Sequence, residues 1–236
     1  MAIAPFLAMT AAEIRANPEF SEKIGWMACH FSPYGTGLSN LPRQLPEGSL
    51  LILNDRTPWW NHDAALIVEQ LTERIESLGC HGLLLDFQHP GVAEVAHLAG
   101  FLTEQLNCPV GVAEAYVGNL ECPVFLPPVP LQQTFEEYLT PWQGRNIWLE
   151  LALDSEEILL TPEGSSATAL LSQEIPRNAY RDERLHCSYS IWLEEDAARF
   201  TLGRSKEDLN ALLEDAENYG VTTAVGLWQE LYPLRS

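Results

Sequence analysis

A chain of 236 residues can bury one sizeable core, and its 46% hydrophobic and 19% charged residues exclude a disordered polymer. Thirty-three Asp and Glu against 13 Lys and Arg give a formal charge of −20 with no basic stripe, so neither a nucleic-acid backbone nor an anionic membrane surface is an expected partner. The cysteines, Cys29, Cys80, Cys108, Cys122 and Cys187, are odd in number and widely spaced; this pattern points to reduced thiols, and nothing in the chain calls for a metal or another cofactor.

The amino terminus, MAIAPFLAMTAAE, is apolar but short and has no basic n-region, and no stretch approaches the length of a membrane span. A cytoplasmic location is the expectation. Thr10 with Glu13 at capping-box spacing opens a short helix that ends near Asn17-Pro18, and the regular fold is expected to start after it. Residues 24–31, IGWMACHF, read as the first strand, followed by the turn-rich SPYGTG. Residues 50–53 form a second buried strand that ends in the polar Asn54 and Asp55. Asp55 either caps a loop or enters a site. Trp59 and Trp60 either stack on a sugar ring or close a barrel end. The apolar spacing through Ala65, Ile67, Val68, Leu71, Ile75 and Leu78 then gives a helix and completes a βαβ unit.

The next segment, LGCHGLLLDFQHP at 78–90, carries a short apolar run with an acid at its end. As a strand from Gly82, it places Leu84, Asp86 and Gln88 on one face and Leu83, Leu85 and Phe87 on the other. A helix over 92–106 leads to a strand at 109–116, where Val112, Glu114 and Tyr116 are expected to share a face. Residues 122–126 are a weak strand and 131–139 a short helix. Residues 146–153, NIWLELAL, form a further strand with Trp148 and Glu150 on one face. Between 154 and 202 the pattern loosens: an extended piece at 158–161, at most a brief helix at 167–171, and then 185–193 and 198–202, which read equally as a hairpin or as barrel strands. A deleted or replaced barrel helix is expected there. Ser205 and Asp208 cap a helix, Gly220 ends it, and 221–228 is the closing strand, with Trp228 and Glu230 on one face.

Repeated strands and helices without a linker predict a single α/β domain over 1–236, a TIM-type (β/α)8 barrel that is irregular or incomplete across 154–202. The alternative, a doubly wound sheet, lacks a glycine-rich phosphate loop after its first strand. Barrel sites lie at the carboxyl ends of the strands, a rule that gathers Asp55, Asp86, Gln88, Glu114, Tyr116, Glu150, Trp228 and Glu230.

The segment LGCHGLLLDFQHP resembles the signature strand of the family 18 glycoside hydrolases, the chitinase-like barrels. That signature spaces three aspartates and a catalytic glutamate as D-x-x-D-x-D-x-E, reached through a glycine turn and followed by proline. The four positions here hold His81, Leu84, Asp86 and Gln88, while Gly79, Gly82, Phe87 and Pro90 keep the frame. The resemblance implies a barrel in which Asp86 keeps the role of orienting a substrate acetamido group, while the general acid has become an amide with no proton to give. It also implies that Trp228 forms the floor of a sugar site. The expected function is therefore a noncatalytic chitinase-like barrel that takes a saccharide or related small polar ligand. Its expected contacts are Asp55, Trp60, Gln88, Tyr116, Trp148, Trp228 and Glu230. The alternative is a glycoside hydrolase with relocated carboxylates, Asp86 paired with Glu114 or Glu150.

Overall fold

The computed structural model describes residues 3–20, 23–59, 61–170 and 179–232. The chain begins with β1 (Phe6–Met9) and α1 (Ala11–Ala16), the latter closed at its start by the Thr10/Glu13 capping box. β2 (Ile24–Phe31) follows, with β3 (Leu38–Ser39) folded back antiparallel on its end. Three units continue the alternation: β4 (Leu50–Asn54) and α2 (Ala64–Leu78), β5 (Gly82–Asp86) and α3 (Ala93–Gln105), then β6 (Val110–Ala113) and the helical turn α4 (Glu114–Val117). β7 (Val124–Leu126), α5 (Phe135–Leu139) and β8 (Ile147–Leu151) complete seven barrel strands.

Five strands then leave the barrel: β9 (Ser155–Thr161), β10 (Gly164–Ala169), β11 (Tyr180–Asp182), β12 (Cys187–Leu193) and β13 (Ala198–Gly203). They form an antiparallel sheet in the order β10-β9-β13-β12-β11. The chain returns through α6 (Lys206–Ala216), β14 (Val221–Leu227) and α7 (Trp228–Leu231).

Eight parallel strands, β1, β2, β4, β5, β6, β7, β8 and β14, close on themselves because β1 pairs with both β2 and β14. This is the TIM-type barrel. Alternation divides its residues into two cores. Leu7, Leu83, Leu85, Phe87 and Leu149 point out and pack under the apolar stripes of α2, α3 and α6, whereas Phe6, Ala8, Leu50, Ile52, Leu84, Phe125, Trp148 and Val225 fill the interior. Trp148 is the largest of these plugs. A Cβ on Gly111 would stand 2.3 Å from its Cε3, so this strand glycine admits the indole, whereas a Cβ on Gly82 would meet the Pro109 carbonyl at 2.6 Å and touch the indole only at an ordinary 3.4 Å.

Several sequence expectations are corrected. The barrel starts at Phe6 rather than at Ile24, because FLAM pairs in parallel with Val225 and its neighbours at the far end of the chain. The strand expected over 109–116 stops at Ala113, and Gly111, not Val112, faces inward. Residues 164–169 form β10, held by pairing with β9, so the brief helix expected at 167–171 gives way to a strand up to Ala169. The barrel helix before β14 is intact. The connection that lacks one is 32–49, between β2 and β4.

The inserted sheet is pinned to the rim by Arg204, which is 2% exposed and donates to the carbonyls of His186, Val129, Pro130 and Leu185. None of the five cysteines is in a disulfide. Among the described residues no helix is long and apolar enough to cross a membrane, and no group of three or more His, Cys, Asp or Glu could hold a metal ion.

Candidate functional site

The carboxyl end of β5 forms the centre of the rim. Leu84 is the last apolar inward residue, so Asp86, two residues on, projects into the mouth of the barrel. The chain then turns under the control of Asp55, which lies just beyond the end of the neighbouring β4 and is 5% exposed. Its carboxylate accepts from Gln88 N (3.0 Å) and His89 N (2.8 Å) and meets His89 Nδ1 at 3.0 Å. Asp55 therefore fixes the loop that carries Gln88 and has little surface left for a ligand. Gln88 itself is exposed, and its Nε2 donates to Asp86 Oδ1 at 3.2 Å.

A cavity of about 250 Å³ opens beside this pair, lined by Asp86, Gln88, Glu114, Glu150, Phe125 and Pro127 among others. The structure thus brings together Asp86, Gln88, Glu114 and Glu150, which come from three separate strand ends. Glu114 arrives at the first position of α4, just past β6, and is exposed. Glu150 points inward from β8, one pleat above Trp148, and is half-buried. Burial, followed by the charges of Asp86, Asp154 and Glu230, pushes its carboxyl up to about 7. Burial also raises Asp86; the Gln88 hydrogen bond draws it back and the Asp55 charge adds to the rise. Glu230 stands near this cluster, and its carboxylate accepts from Leu153 N at 3.0 Å.

Other expected contacts take structural places. Trp148 is 1% exposed in the barrel interior and offers no ring face to a ligand. Tyr116 is 8% exposed, since the chain turns helical at Glu114 and swings the ring out against Phe87, 5.8 Å away and edge-on. Its hydroxyl donates to the His89 carbonyl and accepts from Val92 N, tying α4 to the start of α3. Tyr116→Phe is expected to cost about 1–2 kcal/mol, because it leaves these two backbone groups short of a partner; urea denaturation measures it. Trp228 does not floor the pocket. The strand ends at Leu227, which is 37% exposed, and Trp228 turns outward to stack on Tyr232 at 5.2 Å. Trp60 lies outside the described residues. Trp59 packs edge-on against Phe31 on the outer core.

The sequence reading missed Tyr138. Its hydroxyl donates to the carbonyl of Pro127 (2.9 Å), a residue that lines the pocket, and its pKa is raised by burial and then by the charges of Glu114 and Glu150. It comes from α5 rather than from a strand end, so strand alternation carries no signal for it.

No protein-family model and no curated protein sequence matches the chain at a significant level. Solved structures do match in fold. A family 18 N-acetylglucosaminidase from Paenibacillus barengoltzii superposes with a TM-score of 0.62 at 12% identity, covering 98% of both chains. A family 18 chitinase from Cycas revoluta, solved in complex with (GlcNAc)3, gives 0.59 at 11% identity over 99% of this chain and 97% of that one. The chitinase-like agglutinin of Robinia pseudoacacia gives 0.57 at 13% identity over 97% of each. The chain is therefore built on the same (β/α)8 barrel as the family 18 glycoside hydrolases, the family that LGCHGLLLDFQHP resembles.

Proposed function

We propose that this chain is a noncatalytic chitinase-like barrel that binds a saccharide unit or similar small polar ligand at the carboxyl ends of its strands. The observation that carries the reading is Gln88. In the resemblance of LGCHGLLLDFQHP to the family signature it falls at the position of the acid; it is hydrogen-bonded to Asp86, and a carboxamide has no proton to deliver to a leaving oxygen. The pocket supports a binder of modest size. At about 250 Å³ it falls below the roughly 300–1,000 Å³ of drug-sized sites, which suits one sugar ring better than a chain of them. Its polar lining offers acceptors for hydroxyl groups. The aromatic residues that line it, Phe87 and Phe125, are 1% and 6% exposed, so hydrogen bonding rather than ring stacking would hold the ligand.

Titration calorimetry with acetylated and unacetylated mono- and oligosaccharides tests this. The expected result is saturable binding of a monosaccharide, weakened about tenfold or more by Gln88→Ala through lost hydrogen bonds. Absence of binding across the panel, or binding indifferent to Gln88, would count against it.

One observation favours a second reading, hydrolysis with relocated carboxylates. A carboxyl pushed up to about 7 is about half protonated at neutrality, so Glu150 could give the proton that Gln88 cannot, with Asp86 or Glu114 as its partner. Turnover abolished by Glu150→Gln would support this reading over the first.

A further inference from the structure

A second cavity, about 600 Å³ against about 250 Å³ for the rim pocket, lies on the flank of the barrel, between α1 and the connection that follows β3. Its floor is the outer face of β2 at Ile24 and Trp26. Its walls are Ile14 and Phe20 on one side and Leu41 and Leu45 on the other. All of these except Ile24 are only half-buried. The cause is local. Residues 32–49 are the one β-to-β connection of the barrel without a helix, and in NLPRQLPEG two prolines four residues apart prevent one from forming. Trp26 Nε1 donates to the Asn40 carbonyl at 2.9 Å, and Asn40 adopts a left-handed φ of 59°, so the connection is anchored at the edge of the strand. Elsewhere on the barrel α2, α3 and α6 seat Ile67, Leu71, Leu98, Leu102, Leu209 and Leu212 in the outer core. The groove lies where a helix after β2 would do the same.

We propose that this groove receives an amphipathic helix with acidic flanks from a partner protein, which covers the outer face of β2 in place of the absent barrel helix. The apolar floor and walls fit the stripe of such a helix. The charge follows from two residues. Among the described residues, Arg15 and Arg43 are the only charged groups lining the groove, both are exposed, and neither has an ion-pair partner. Two free guanidiniums on one groove stand out in a chain with 33 acidic residues and 13 basic ones, and they complement carboxylates on the partner. A second copy of this chain is the poorer occupant. It would bring a formal charge of −20 against −20, and its own long helices already have their apolar stripes buried in their own barrel.

Two helix-forming peptides with the same leucine stripe, one flanked by Glu and one by Lys, test the proposal against the intact chain by fluorescence anisotropy. The Glu-flanked peptide is expected to bind about tenfold more tightly at low salt, with the preference shrinking as salt rises. The double variant Arg15→Glu/Arg43→Glu is expected to reverse the preference, with an unchanged far-UV spectrum because both side chains are exposed. Failure of the Glu-flanked peptide to bind, equal binding of the two, or a preference that survives the double variant would overturn the proposal. So would sedimentation showing a dimer of this chain that dissociates in the double variant, since the groove would then be filled by a second copy.

Discussion

Trp148→Ala is expected to destabilise the fold by about 3–5 kcal/mol, the cost of emptying a buried aromatic site. The indole is 1% exposed and packs in the barrel interior among Leu50, Ile52, Leu84, Phe125 and Val225, with Gly111 close against its ring, so its removal leaves a cavity in a packed core. Gly111→Ala alone is expected to cost about 1–3 kcal/mol, since its new methyl would meet the ring at 2.3 Å. In the Trp148→Ala background the same methyl enters the vacated space and is expected to cost little or nothing. Urea denaturation of the four proteins gives the coupling directly. Additive costs would mean that Trp148 is not the plug for which Gly111 makes room.

Glu150→Gln is expected to change how stability depends on pH. The Glu150 carboxyl holds its proton up to about pH 7 when folded, against an ordinary value of 4.5. Between these limits the folded chain binds the extra proton, so stability falls as pH rises through that window and the penalty is complete above it. A glutamine stays neutral throughout. The variant is expected to match the wild type near pH 4 and to exceed it by about 2 kcal/mol near pH 8, a figure reduced from the full shift because the side chain is only half-buried. Denaturation midpoints across this range measure the difference. A gap that does not widen with pH would show that Glu150 ionises like an exposed carboxyl. Asp86 is raised in the same direction, and because its charge helps raise Glu150, part of the measured difference belongs to the pair.

Much of the rim was legible because it depends on local alternation. LGCHGLLLDFQHP places Leu84 inside and Leu83, Leu85 and Phe87 outside, as the period of two requires, and Asp86 follows Leu84 to the mouth. The Ser205/Asp208 cap is equally local, whereas 185–202, which read equally as a hairpin or as barrel strands, is settled as a hairpin by the pairing of β12 with β13. The misses have nonlocal or depth-dependent causes. FLAM is a strand because it lies in a ladder between β2 and β14, the latter more than 200 positions away. Gly-Ser-Ser-Ala-Thr-Ala has no apolar alternation and owes its conformation to β9. Alternation correctly turned Trp148 inward but does not distinguish the packed interior from the lip one pleat above it. Strand alternation does not reach Tyr116 and Trp228, because the strands end at Ala113 and Leu227, where the chain turns helical and the side chains swing outward.

The pocket chemistry rests on what Gln88 lacks and Glu150 keeps. A carboxamide beside Asp86 binds and orients, whereas a protonated Glu150 in the same cavity is an acid. Release of new reducing ends from acetylated and unacetylated oligosaccharides, followed at about pH 6 where Glu150 would be protonated, separates the two most directly. A noncatalytic barrel predicts no release above that of the Glu150→Gln variant. Steady turnover by the wild type that disappears in Glu150→Gln or Glu114→Gln would contradict it.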